Sequence, residues 1–232
     1  MRTLEITSYI GCPVRCEYCP QKLLISRYEG KKSMSFIDFQ QILKNVPTDV
    51  RIDFSGFSEI FGNIEGAEMI RYAYRSGHQV VLYTTLVGYD PGMDNHYLRG
   101  VQFADLCFHQ SPELDLANFN RLKGIFESEV SHGRTAEITE QWKWSRAGTV
   151  WDRPVIEGPF ECLFAGKRFD HNVVLPNGEV YLCCQDYGLV HSLGNLYSAP
   201  FDALNREDYT LASNEVDSDM ICRKCEIAQF TK

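Results

Sequence analysis

The chain has 232 residues, 44% of them hydrophobic, with a formal charge of −8 and a pI near 5.3. That length holds one generous domain, or one with a small appendage, and a sizeable core. The acidity argues against broad nucleic-acid binding, which draws its affinity from Lys and Arg on phosphates, so a small or neutral substrate fits better.

Leu4-Glu5-Ile6-Thr7 reads as a first strand, and Met1 to Ile10 has neither the apolar core nor the cleavage site of a signal peptide. With no apolar run of about 18 residues anywhere, a cytoplasmic protein with no membrane or nucleic-acid partner is expected. Ser35 is placed to cap a helix whose apolar stripe is Phe36, Phe39, Leu43 and Val46, stopped by Pro47. Arg51 to Ser55 is the next strand. Ile64 to Ser76 carries Ala67, Ile70 and Ala73 or Tyr74 at helical spacing and ends at Gly77, after which Gln79 to Thr84 is a buried strand. Asp105 to His109 is another strand and Leu114 to Glu129 a helix with Leu116, Phe119, Leu122 and Phe126 on its apolar side. A further strand is expected over Ala136 to Trp142.

Such β/α repetition implies an α/β fold: a parallel sheet with crossover helices, open or closed into a full or partial barrel, with ligands at the carboxyl ends of the strands. From about Trp151 the texture changes. Pro154, Pro159, Pro176 and Pro200 punctuate short segments, and five of the nine cysteines lie between Cys162 and Cys225. Two domains are expected, 1–155 and 156–232. No low-complexity linker separates them, so the second should pack on the first.

Nine cysteines in a reducing compartment read as metal or cluster ligands rather than disulfides. Cys12, Cys16 and Cys19 follow the first strand as C-x3-C-x2-C. Three thiolates on one tight loop reach three corners of an iron–sulfur cubane and leave one iron without a protein ligand, as a catalytic metal site leaves a position open. On spacing alone, zinc with a distant fourth ligand is the other reading.

This motif, with Tyr18 just before its last cysteine and β/α repeats after it, resembles the radical S-adenosylmethionine (SAM) superfamily along nearly the whole chain. The resemblance implies a [4Fe-4S] cluster on Cys12, Cys16 and Cys19 whose open iron chelates SAM, and a 5′-deoxyadenosyl radical that takes a hydrogen atom from the substrate. It further implies an electron donor such as flavodoxin or ferredoxin. Ser55-Gly56-Phe57-Ser58-Glu59 falls where the family has a glycine-rich loop against the SAM amino group, although the usual Gly-Gly-Glu is altered. Thr84 and Thr85 end a strand near the expected SAM ribose, and Arg146 is the candidate for the SAM carboxylate. The fold implied is a partial (β/α)6-type barrel, shortened because about 150 residues are few for six β/α units.

The arrangement Cys162-x15-Gly178-x4-Cys183 with Cys222-x2-Cys225 resembles the auxiliary-cluster domain of these enzymes, the SPASM type, in its one-cluster twitch form. It implies a second [4Fe-4S] cluster on Cys162, Cys183, Cys222 and Cys225, with a hairpin over Val173 to Leu182 turning at Asn177-Gly178. A zinc ribbon is the alternative. Cys107 reads as a buried small hydrophobe. Cys184 directly follows a cluster ligand, where a sulfatase-activating relative has an aspartate as candidate base; here Asp186 lies two residues further on. Cys184, Asp186 and His109 are therefore the candidate catalytic residues, and Glu5 a polar contact inside the barrel.

In size and cysteine layout the chain is similar to the dehydrogenases of 2-deoxy-scyllo-inosamine, which implies oxidation of a secondary alcohol on a sugar or cyclitol. Epimerisation with Cys184 as hydrogen donor is a second reading, ribosomal-peptide modification a third, and a zinc-stabilised binding module the non-enzyme alternative.

Overall fold

The computed structural model describes residues 1–138, 144–216 and 218–230. Its first strand, β1 (Thr3–Ile6), is buried throughout. Leu4 and Ile6 join the main apolar core, while Thr3 and Glu5 are buried polar groups outside it, as the two-residue period of a strand requires. The first helix, α1 (Gln21–Arg27), leaves the cysteine loop with only Leu24 buried.

Ser35 caps α2 (Phe36–Lys44) in a reciprocal capping box with Asp38, and Phe39, Ile42 and Leu43 are buried. Next come β2 (Arg51–Phe54), α3 (Gly66–Arg75), β3 (Val80–Thr84), α4 (Pro91–Leu98), β4 (Phe103–Gln110), α5 (Leu116–Glu129) and β5 (Arg134–Glu137). One expected core position is on the surface: Leu116, 46% exposed in the first turn of α5, and the predicted helix start Ile64 lies ahead of α3 and is 78% exposed. The buried stripe of α5 is Phe119, Leu122 and Phe126. The strand expected over Ala136 to Trp142 begins earlier and is described only to Glu137; residues 139–143 lie outside the described residues.

Strands β1 to β5 run parallel in the order β5-β4-β3-β2-β1. The free edge of β1 is taken by β7 (His171–Val174), also parallel, with Glu5 opposite Val173. Antiparallel strands β8 (Glu179–Tyr181) and β9 (Ser192–Asn195) complete an eight-stranded sheet. Six strands of the sheet are thus parallel, the five of the β/α repeats and β7 on the β1 edge opposite β5, in the open order of a shortened barrel. The β7–β8 turn is built as the Asn177-Gly178 pair suggests: Gly178 has φ +80°, and a Cβ there would lie 2.4 Å from the Tyr197 ring. Strand β6 (Phe160–Cys162) pairs with β10 (Ala228–Phe230), setting Cys162 opposite Ala228. A short helix, α6 (Glu207–Ala212), lies between them in sequence.

Helices α2, α3 and α5 cover one face of the parallel sheet, where Phe39 packs on Phe54 and Phe126 on Phe108. Each buried aromatic of this kind contributes about 1.5–3 kcal/mol. The other face carries the polar side chains, which fixes where chemistry is possible. Among the described residues no helix is long and apolar enough to cross a membrane.

Candidate active site

The face of the sheet opposite the helices is lined by ionic and hydrogen-bonded side chains. Arg51 grips Asp53 through two bonds of 2.6 Å, and Arg134 and the Tyr83 hydroxyl both donate to Asp105, at 2.9 and 2.8 Å. His109, at the end of β4, stacks on Tyr83 at 5.5 Å. Burial, reinforced by the charges of Arg134 and Arg146, lowers its pKa to about 4, so at pH 7 it is a neutral imidazole. Glu5 receives the His171 ring at 2.7 Å and the Ser55 hydroxyl at 3.2 Å. Burial pushes the Glu5 carboxyl up, but the bond and charge of His171 outweigh this and hold it below its usual range. Burial, and then the nearby Glu5 charge, push the pKa of the Cys184 thiol well up.

At the carboxyl end of β1, the loop bearing Cys12, Cys16 and Cys19 leaves all three thiols free and half-buried. Donors stand beside two of them. Cys16 lies 3.6 Å from the Ser111 hydroxyl, and Cys19 lies 3.4 Å from the Tyr187 hydroxyl and 3.5 Å from the Gln21 amide. Burial pushes the pKa of the Cys12 thiol up to about 11 and raises that of Cys16 as well, so thiolates here would depend on a bound metal centre, with the surrounding donors assisting. Ser111, Gln21 and Tyr187 are functional neighbours that sequence patterning did not single out.

Ser55, Gly56 and Glu59 sit on the loop after β2. A Cβ on Gly56 would lie 2.4 Å from Thr7 Oγ1 and 2.7 Å from the Ile6 carbonyl oxygen, and the next residue, Phe57, donates its N–H to Thr7 at 2.8 Å. Gly56→Ala is therefore expected to lower stability by about 1–3 kcal/mol through overpacking, read as a lower denaturation midpoint at unchanged m-value; an unchanged midpoint would show that this contact yields. Glu59 is buried, which raises its carboxyl pKa despite its hydrogen bonds. It accepts from the Thr84 hydroxyl at 2.7 Å and from both the N–H and hydroxyl of Thr85 at 2.6 Å. These three residues brace the end of β3 against the β2 loop, beside Cys12.

Arg146, Ala147 and Gly148 all have positive φ (52°, 52° and 81°). The turn is held by Ser145, whose N–H donates to Glu226 at 2.7 Å and whose hydroxyl accepts from the Gly148 N–H at 3.0 Å. Two successive non-glycine residues in this region cost about 1–2 kcal/mol each, strain that accumulates where it positions something. What it positions is the Arg146 guanidinium, 5.7 Å from the Tyr18 ring and 5.8 Å from the Tyr187 ring. Its Nε is buried and has no hydrogen-bond partner among the described residues, an orphan donor that fits an anionic ligand.

Cys162, Cys183, Cys222 and Cys225 line one small cavity together with Cys184, Phe164 and His171. They arrive on β6, on the strand end after β8, and on the short 3-10 turn Ile221–Lys224 with its cap. Among the described residues no three His, Cys, Asp or Glu side chains gather closely enough to hold a single metal ion, so the four thiols stand around a space rather than a point. Asp186 is buried, and its two oxygens accept from the N–H groups of Val190 (3.0 Å) and His191 (2.8 Å). It closes the turn after Cys183 as an Asx-type cap. Cys107 is fully buried in β4.

Residues 162–226 match the SPASM family, described as an iron-sulfur cluster-binding domain, and for these cysteines the zinc reading gives way. The chain is similar in fold to BtrN in complex with AdoMet and 2-DOIA, at 15% identity over 92% of this chain and 85% of that one, with TM-score 0.69. BtrN in an open conformation gives 13% identity, 97% and 92% coverage and TM-score 0.65. For anSMEcpe with bound AdoMet the values are 14%, 97%, 83% and 0.59. At these identities the likeness is one of fold. Among curated proteins none matches.

Proposed function

We propose that the protein is a radical SAM enzyme of two parts, a barrel over 1–155 and an auxiliary-cluster domain over 156–232, that oxidises a secondary alcohol of a sugar or cyclitol. The observation that carries this reading is the Cys183 to Tyr187 segment. It starts at the four-cysteine cavity, which Cys184 and His171 also line, and ends against Cys19, so one five-residue segment links the two cysteine sets. Cys12, Cys16 and Cys19 would hold one [4Fe-4S] cluster and Cys162, Cys183, Cys222 and Cys225 another. When bound, the first cluster with SAM supplies the 5′-deoxyadenosyl radical that takes a substrate hydrogen, and the second accepts the electron left behind.

The chain's own residues do the rest. Arg146 binds the SAM carboxylate, its cation steadied by Tyr18 and Tyr187. The brace of Glu59, Thr84 and Thr85 holds the loop bearing Ser55 and Gly56 against the cysteine loop. The substrate's hydroxyls meet Glu5, Asp53, Asp105 and Arg134, a surface rich in both donors and acceptors. Neutral His109 takes the proton of the oxidised hydroxyl, while Asp186, both oxygens occupied, serves the turn rather than the reaction. BtrN, seen with AdoMet and 2-DOIA, supports a small cyclic substrate. Epimerisation is the second reading, with Cys184, which lines the four-cysteine cavity, as the thiol that would return a hydrogen atom.

Reconstituted protein with a strong reductant is expected to convert SAM to methionine and 5′-deoxyadenosine. Arg146→Ala should weaken SAM binding by roughly 1.5–3 kcal/mol, the range for a hydrogen bond to a charged group, measured by equilibrium binding under anaerobic conditions. Unaltered affinity would remove Arg146 from the SAM site.

A further inference from the structure

Tyr187 is 4% exposed and belongs to the C-terminal part of the chain, yet its hydroxyl lies 3.4 Å from Cys19 Sγ. Its ring is held on two sides and its backbone by a turn. Phe57 packs on it at 4.4 Å, the Arg146 guanidinium stands 5.8 Å away, and its backbone is pinned by its own N–H donating to Gln185 at 3.0 Å. The Asp186 carboxylate closes the same turn through Val190 and His191. The hydroxyl is therefore carried by a rigid loop that begins at Cys183, a wall of the four-cysteine cavity.

We propose that Tyr187 is a positioning residue whose hydroxyl, donating to the Cys19 thiolate, lets the auxiliary domain set the reduction potential of the first cluster. The inference rests on Cys19 being a ligand of that cluster. An ionised ligand sulfur can only accept, so the proton on the bond belongs to Tyr187. A donor on a ligand sulfur draws electron density from the cluster, favours its more negative reduced form and raises its potential; such hydrogen bonds are among the levers that set iron–sulfur potentials. The Gln21 amide, 3.5 Å from the same sulfur, acts in the same direction from within the barrel. Tyr187 differs in that anything displacing Cys183 displaces it too.

Tyr187→Phe removes the hydroxyl and keeps the ring against Phe57 and Arg146. An EPR-monitored redox titration of the reconstituted two-cluster protein should show, at fixed potential, about a tenfold lower ratio of reduced to oxidised first cluster, equal to a 59 mV fall for one electron. Iron content and the auxiliary cluster's midpoint should be unchanged. Replacing Tyr187 with 3-fluorotyrosine, whose hydroxyl is the better donor, should move the first cluster's midpoint the opposite way, which a purely structural role would not do. Equal midpoints in all three proteins at full iron content overturn the inference and leave the cluster assignment standing. Wild-type protein whose EPR signals do not respond to SAM overturns the assignment of Cys12, Cys16 and Cys19, and the inference with it.

Discussion

Replacing Cys12, Cys16 and Cys19 together by Ala is expected to lower the iron of reconstituted protein from about eight atoms per chain to about four, and to abolish SAM cleavage. The remaining iron belongs to the four cysteines of the C-terminal cavity. Those sit on β6, the β8 end and the 3-10 turn, and none touches the N-terminal loop directly among the described contacts. The fold should survive, because the three thiols are half-buried and free, and the loop's anchors are the buried Ile10 and Val14 and the bond from the Ile10 N–H to the Lys32 carbonyl, 2.8 Å. The check is iron and sulfide analysis with 5′-deoxyadenosine detection, and far-UV circular dichroism as the folding control. Eight irons retained after the triple change would sink the assignment of this loop. All iron lost would mean that the auxiliary site depends on the first.

How much of this was legible in the sequence depends on the span over which each feature is encoded. The cysteine loop, the Ser35 cap of α2 and the Asn177-Gly178 turn are local, so spacing and residue type suffice. Pairing of β7 with β1 is not local: Glu5 and His171 are 166 positions apart and Cys19 and Tyr187 168, and nothing in either segment names its partner. Helix α4 escaped notice because its buried positions include Asp94 and Asn95, which breaks the apolar periodicity that marks a helix. Asn95 is buried because it bonds Glu129 at 2.9 Å, a tertiary contact.

Roles were harder to read than places. The loop sequence reads Glu59 as a SAM-side residue, and its three short bonds to Thr84 and Thr85 add a contact between strand ends that no local pattern announces. Asp186 has the residue type of a base, yet its two oxygens are filled by backbone N–H groups. A carboxylate's type is visible in one letter, whereas the occupancy of its lone pairs is set by the folded chain around it.

The outcome at Cys184 separates the two reactions this site could support. Oxidation of an alcohol ends at a carbonyl and returns no hydrogen to carbon. Cys184→Ala should then leave turnover possible, provided the neighbouring Cys183 keeps its place in the cavity, and the product should be two hydrogens lighter than the substrate with no solvent deuterium on carbon after anaerobic turnover in heavy water. Epimerisation must instead return a hydrogen atom to the opposite face. A thiol in exchange with solvent would deliver deuterium, so the product would keep its formula apart from one carbon-bound deuterium, and in Cys184→Ala the inverted product would largely vanish while SAM was still consumed. Mass spectrometry of product from both proteins gives the answer. Cys184 lines the same cavity as Cys162, Cys183, Cys222 and Cys225. Four thiols that can hold a cluster beside the substrate side suit an electron acceptor, which oxidation needs and epimerisation does not. The expected result is a product lighter by two hydrogens whose yield persists in Cys184→Ala.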